Sequence, residues 1–197
     1  MTDDFALSEK DFQEQKRKKV AKPLLWFGMA SIVMFFAGLT SAVIVRKGDG
    51  NWLIYDIPSM FMYSTIIIVI SSLVLIAAHV FAKRNNYAAT KASLIITLLL
   101  GIAFVFTQFE GYSQLVDAGI YMTGAKHNAS GSFLYIISGV HLVHLFGGII
   151  ALSVVVFNAI KEQYNSKNLL GLQVCSSYWH FLGAMWVYLY IFFNTII

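Results

Sequence analysis

Long apolar blocks separated by short polar segments dominate the pattern of the 197-residue chain. A helix rises about 1.5 Å per residue, so about 20 residues cross a hydrocarbon core of about 30 Å. The blocks contain very few charged residues, and the exceptions are chiefly histidines. The pattern predicts an all-α integral membrane protein, a bundle of five transmembrane helices over residues 24–45, 57–82, 92–110, 133–160 and 174–196.

The segment before the first block is polar and basic. Pro23 follows it and stands where a helix can begin. The first apolar block comes after this long hydrophilic leader and lacks a small-residue cleavage site, so it is not a signal peptide. We therefore expect two parts, a basic cytoplasmic leader over residues 1–22 and a five-helix transmembrane domain over residues 23–197.

Composition supports the membrane assignment, and the placement of charge predicts an orientation. Hydrophobic residues make up 58% of the chain and charged residues 12%, against about 25% charged in a typical soluble domain. The net charge of +4 is unevenly spread, which fits a leader touching anionic headgroups better than nucleic-acid binding. Lysines and arginines gather in residues 1–22, 83–91 and 161–167, whereas the opposite side has only Arg46, Lys47 and Lys126. Because positive charge favours the cytoplasmic side, we expect a cytoplasmic N-terminus and an external C-terminus.

Histidines inside the apolar blocks are the main candidates for chemistry. His141 and His144 are three residues apart and share one helix face. A bis-histidine haem needs ligands on two helices at equal depth, and His79 and His180 are the pair that fits. A b-type cytochrome membrane anchor is therefore one interpretation. The other is that the histidines are neutral and hydrogen-bonded between helices, as most intramembrane polar groups are. The single cysteine, Cys175, excludes an intrachain disulfide and a multi-cysteine metal cluster.

A specific partner can be predicted for His141. Glu110 closes the third block and leans into the membrane, because helical side chains tilt toward the N-terminus of their helix. His141 in the fourth block leans outward, so the two groups reach similar depths. We expect His141 and Glu110 to share a proton directly or through one water, and His144 to bind a hydroxyl or carbonyl of another helix.

Four phrases in fixed order carry a resemblance to a known family. They are ASIVMFFAGL (30–39), LIITLLLGIAFVFTQFEGY (94–112), SGSFLYIISGVHLVHLFGGIIAL (130–152) and SYWHFLGAMWVYLYIFF (177–193). Together they resemble subunit III of the haem-copper oxidases, in its five-helix form, from about residue 24 to the C-terminus. The combination of a histidine-x-x-histidine helix with a final YWHF helix is what makes the resemblance specific.

The resemblance implies an accessory subunit of a terminal oxidase in an aerobic respiratory chain. Such a subunit binds no haem or copper, packs against catalytic subunit I and other oxidase subunits, holds phospholipid and supports proton uptake in a cytoplasmic membrane. A nitric-oxide-reductase-associated relative is the alternative within the family, and the electron donor, cytochrome c or quinol, stays open. The structural or lipid-contact candidates are Glu110, Tyr112, His141, His144, Tyr178, Trp179, His180 and Trp186.

The chain departs from the family pattern at three positions. Where the family often has a carboxylate, this chain has Ile32 in the first helix, Gln173 before the last helix and Gly183 after the YWHF phrase. Each change removes a carboxylate from a site in or near the membrane. The proton and headgroup roles that the family's carboxylates suggest therefore do not carry over to these three positions. The apolar pattern and the expected fold are unaffected.

Overall fold

A computed structural model describes residues 2–124, 128–162, 164 and 169–197, with side chains from residue 19 onward. Every regular element in this part of the chain is a helix, which confirms the all-α prediction. The elements are α1 (Thr2–Gly48), α2 (Ser59–Lys83), α3 (Tyr87–Asp117), α4 (Ala129–Ile160) and α5 (Leu170–Ile196). Lys126 and Lys167, which contributed to the predicted orientation, lie outside the described residues.

Four of the helices in the described ranges are long and apolar enough to cross a membrane. They are Lys19–Gly48 within α1, then α2, α3 and α4. The fifth, α5, has 27 residues and contains no acidic or basic residue other than His180, but its serines, tyrosines and tryptophans make it less apolar. Its position explains this composition. It packs against α1, α2 and α4, so much of its surface faces protein instead of lipid.

The helices extend beyond the apolar blocks that predicted them. α1 continues through Pro23, so the expected start at this residue is wrong. α3 begins at Tyr87, five residues before the predicted start, and the Asn86 side chain caps it by accepting a hydrogen bond from the Ala89 amide at 3.1 Å. It then runs on to Asp117 instead of ending near residue 110. Polar residues can continue a helix into water or the headgroup region. The end of an apolar block therefore marks the boundary of the hydrocarbon core and not the end of the helix.

Two polar contacts fix which helix ends lie together. Lys91 near the start of α3 pairs with Glu162 after the end of α4, at 2.8 Å. At the other ends, Lys47 of α1 donates to the carbonyl of Ile196, the last residue of α5, at 2.7 Å. The ends of α1 and α5 therefore lie at one level, and the start of α3 lies beside the end of α4.

The packing of the bundle leaves one side of α1 open. α2 and α3 form a tightly packed hairpin, α4 packs against α3 and α5, and α5 also contacts α2. Within the described residues, α1 contacts α4 and α5 but neither α2 nor α3. A gap therefore separates α1 from α2, with α5 behind it. We call this gap the α1–α2 cleft.

Glycines allow the closest helix approaches. A Cβ atom added at Gly101 of α3 would lie 2.5 Å from the ring of Trp179 on α5. One added at Gly111 of α3 would lie 2.9 Å from the ring of Phe61 on α2. Both distances are too short for any side chain, so the large rings of the core occupy space that only glycine leaves free.

Candidate functional site

His141 lies in the centre of the bundle, fully enclosed by aromatic rings. Its side chain is 0% exposed. Its ring centroid is 5.3 Å from that of Trp186 on α5, and 6.3 Å from those of Phe36 on α1 and Phe104 on α3. We call these three rings the His141 cage. His144 also contacts Phe36, at 5.8 Å, which confirms that the two histidines share a helix face.

Hydroxyl groups of α2 bind the polar groups that other helices bury beside this cage. The Trp186 indole donates to the Thr65 hydroxyl at 3.0 Å. The Gln108 side-chain amide of α3 donates to the neighbouring Ser64 hydroxyl at 2.7 Å. Both hydroxyls also donate to a carbonyl of their own helix, that of Phe61. The bonds from Trp186 and Gln108 each link two helices, which is the usual role of hydroxyl groups inside membrane bundles.

About two turns further along α2, Trp179 is bound in the same manner. Its indole donates to the Ser71 hydroxyl at 3.0 Å, and its side chain is 0% exposed. Sequence reasoning assigned Trp179 and Trp186 to the site but did not identify Gln108, Ser64 or Ser71. Gln108 carried a usable signal, because a glutamine within a long apolar block is costly unless it is buried against a partner.

The predicted contact between His141 and Glu110 is wrong. Neither ring nitrogen of His141 has a hydrogen-bond partner among the described residues, and Glu110 is exposed. The inward face of α3 is formed by residues such as Phe104 and Gln108. Glu110 is two positions after Gln108, about 200° further around the helix at about 100° per residue, so it points away from the bundle.

The prediction for His144 is also wrong. Its Nδ1 lies 2.9 Å from the carbonyl oxygen of Val140, four residues earlier in its own helix. The contact with another helix involves the backbone instead. The Tyr178 hydroxyl of α5 donates to the His144 carbonyl at 3.3 Å.

Tyr112 belongs to a second polar cluster at the Lys47 end of the bundle. Its hydroxyl donates to the Ser138 hydroxyl of α4 at 2.9 Å. Its ring lies 5.3 Å from that of Tyr135 and 6.1 Å from that of Phe61. The Tyr135 hydroxyl in turn donates to the Ile120 carbonyl at 3.1 Å. These contacts join α3, α4 and the loop after α3, so Tyr112 has a structural role.

The α1–α2 cleft has a volume of about 610 Å³ and combines an apolar wall with a basic mouth. Lys22 of α1 and Lys83 at the end of α2 line it, and His79 lies one turn further in. His180 of α5 is partly buried. The other lining residues are Leu25, Trp26, Ile76, Val80, Gln173, Val174, Ser176 and Ser177.

The structure gives the surroundings of two of the three departures from the family pattern. Gln173 lines the α1–α2 cleft, so a neutral amide stands there in place of a carboxylate. At Gly183 an added Cβ atom would lie 3.3 Å from the Ser72 hydroxyl and 3.5 Å from the Ile68 side chain. A side chain at position 183 would therefore need the Ser72 hydroxyl to shift by a few tenths of an ångström. Nothing in the structure explains Ile32.

The described residues contain no group of three or more histidine, cysteine or acidic side chains placed to hold a metal ion. Their polar groups form contacts between helices and line part of the α1–α2 cleft.

Comparison with known proteins agrees with this arrangement. Residues 54–195 match the family described as Cytochrome c oxidase subunit III. The chain is 30% identical to the probable cytochrome c oxidase subunit 3 of Nocardia farcinica, over 85% of this chain and 82% of that protein. It is 30% identical to the cytochrome c oxidase subunit 3 of Corynebacterium diphtheriae, over 81% and 80%. The chain therefore belongs to the cytochrome c oxidase subunit III family.

Proposed function

We propose that this chain is the accessory subunit III of a terminal oxidase, packed against the catalytic subunit in the cytoplasmic membrane. In this role it carries no haem or copper of its own, stabilises the catalytic subunit and supports its proton uptake. The observation that carries the proposal is the family match over residues 54–195. Relatives named cytochrome c oxidase subunit 3 favour cytochrome c as the electron donor of the complex.

The comparisons support this function over the b-type cytochrome alternative, in which His79 and His180 would ligate a haem. A direct test is available in the intact complex. His180→Ala should leave the haem content per complex unchanged, because the haems belong to partner subunits. Loss of one haem per complex, measured from the optical spectrum, would contradict the proposal.

Removal of the chain tests the accessory role. We expect an oxidase purified from a deletion strain to keep its haem and copper spectra. Its turnover should decline faster during continuous oxygen reduction than that of the complete complex, because its proton supply and stability are reduced. Adding back the chain should restore sustained turnover. A tagged chain that co-purifies with no haem-copper oxidase would refute the assignment.

We further propose that the α1–α2 cleft holds a phospholipid with its phosphate at the mouth. Lys22 and Lys83 supply positive charge there, and Leu25, Ile76 and Val80 supply an apolar wall for acyl chains. Gln173 strengthens the proposal, since a carboxylate at this position would repel the phosphate. A lysine near an anionic headgroup contributes about 1 kcal/mol, which corresponds to about a fivefold change in affinity.

Native mass spectrometry of the purified complex measures this lipid directly. The double variant Lys22→Ala, Lys83→Ala should retain less bound phospholipid than the wild type. Lys161→Ala is the matched control, because Lys161 is also exposed near a helix end but rests on the Phe157 ring, outside the cleft. Equal lipid retention in the double variant and the control would exclude the cleft as the site.

A further inference from the structure

Three buried polar atoms beside the His141 cage have no partner among the described residues. They are the two ring nitrogens of His141 and the carbonyl oxygen of the Gln108 side chain. Both side chains are 0% exposed. Buried polar groups in proteins are nearly always hydrogen-bonded, to protein or to ordered water, so these three atoms require an explanation.

The protein groups around His141 cannot supply the missing bonds. The Trp186 N–H is already donated to Thr65, and His144 Nδ1 lies against the Val140 carbonyl. The remaining walls of the cage are the rings of Phe36 and Phe104. A ring face can accept weakly from an imidazole N–H, but it has no proton to give to the other nitrogen. A neutral imidazole has one donor and one acceptor, and the acceptor in particular is left unmatched.

The unpartnered side-chain oxygen of Gln108 belongs to a residue on the face of α3 that also carries Phe104 of the His141 cage. Gln108 follows Phe104 by one turn on the inward face of α3, and Phe104 forms one wall of the His141 cage. The Gln108 amide binds Ser64, and the next residue, Thr65, binds the Trp186 indole that forms another wall. Neighbouring α2 hydroxyls and the rings of Phe104 and Trp186 therefore link the region around the imidazole to that around the amide oxygen.

We propose that this region is a buried hydration site, in which at least one water molecule binds the His141 imidazole and the Gln108 carbonyl. Water fits the requirement because it donates and accepts, and because it satisfies the imidazole acceptor and the amide oxygen together. An apolar occupant of this region could form no hydrogen bond with any of the three atoms. The inference concerns the interior of this chain and does not depend on the proposed lipid or on the identity of the electron donor.

X-ray radiolytic footprinting of the purified oxidase complex tests the proposal, because radicals formed from a bound water oxidise the side chains that touch it. Trp186 and Trp179 make a matched pair, since both lie in α5, both are 0% exposed and both donate to an α2 hydroxyl. Only Trp186 borders His141. We expect Trp186 to be oxidised faster than Trp179, since a water held at His141 lies beside Trp186. Equal rates would overturn the proposal.

Two variants separate the water from other causes of oxidation. His141→Phe keeps a ring in the cage but removes both nitrogens, and should lower the Trp186 rate to that of Trp179. His144→Phe changes a histidine whose nitrogen already lies against its own helix, and should leave the Trp186 rate unchanged. If Trp186 stays reactive in His141→Phe, the reactive water is not held by His141 and the proposal is wrong.

A density map of the unmodified complex provides a measurement that needs no variant. A water peak within about 3.2 Å of a His141 ring nitrogen is expected. The absence of such a peak, in a map where other buried waters are visible, would overturn the proposal, and so would a partner side chain in its place.

Discussion

At the scale of single residues, the close approach of Gly101 to Trp179 leads to a clear prediction. Gly101→Ala should lower the free energy of unfolding by about 1–3 kcal/mol, because the new methyl group would displace an indole that Ser71 holds in place. The control is Gly147→Ala, since a Cβ atom at Gly147 meets nothing within 4 Å. Denaturation of the detergent-solubilised complex measures both. Similar losses for the two variants would contradict the argument.

Tyr55, in the loop between α1 and α2, gives a prediction of opposite sign. Its hydroxyl is buried with no hydrogen-bond partner in the described part of the chain. Tyr55→Phe should therefore be neutral or should raise the free energy of unfolding by up to about 1 kcal/mol at neutral pH. Tyr112→Phe, which loses the bond to Ser138, should destabilise and serves as the contrast.

The same residue contributes a dependence on alkaline pH. Burial, together with the nearby Tyr135, raises the pKa of Tyr55 above its usual value near 10.0. The folded state then holds this proton more tightly than the unfolded state, so the chain loses stability as the pH rises above about 10. Melting temperatures at pH 8 and pH 10.5 should differ less for Tyr55→Phe than for the wild type. An equal difference would show that Tyr55 does not contribute.

The sequence predicted the histidine pair of α4 but not its partners. The spacing of His141 and His144 was enough to place both on one face. The pairing with Glu110 failed because the argument considered depth along the helix and not direction around it. Gln108 and Glu110 are only two residues apart, yet one is buried and the other exposed. Contacts between helices also depend on their relative rotation, which a single sequence does not specify.

At the scale of helices, apolar blocks located all five elements but not their limits. The blocks report where side chains leave water, whereas a helix ends where its backbone hydrogen bonds end. α3 illustrates the difference, because it continues for about two turns beyond its apolar block. α5 illustrates a second difference. Its aromatic and polar residues lower its apolarity, and its central position in the bundle could not be predicted from its own sequence.

The end of α5 is held by the last turn of α1 and by the loop that follows it, which predicts a local effect of Lys47. Lys47 and the Trp52 indole both donate to the Ile196 carbonyl, at 2.7 and 3.2 Å. Lys47→Met should raise hydrogen exchange of the Ile197 amide about fivefold, corresponding to about 1 kcal/mol. Arg46→Met is the control, because Arg46 binds the Gly50 carbonyl just after its own helix and does not contact α5 through that bond. Unchanged exchange in Lys47→Met would show that the contact does not stabilise the helix end.

At the scale of the whole molecule, the helix ends separate the basic residues into two unequal groups. One level of the bundle contains the basic mouth of the α1–α2 cleft, with Lys22 and Lys83. Lys91 at the start of α3 and Lys161 after the end of α4 lie at this level too. At the opposite level, where Lys47 meets the end of α5, the described lysines and arginines are Arg46 and Lys47. The described lysines and arginines are therefore concentrated at one level of the folded bundle.

This asymmetry predicts a cytoplasmic N-terminus and an external C-terminus, because positive charge is retained on the cytoplasmic side. Cysteine labelling of intact cells measures it. The single native cysteine, Cys175, is buried and is replaced by alanine to give a silent background. A cysteine added after Ile197 should react with a membrane-impermeant maleimide, whereas Ala6→Cys should react only after the membrane is opened. The reverse pattern would invert the orientation, and it would then place the phosphate of the proposed cleft lipid in the outer leaflet.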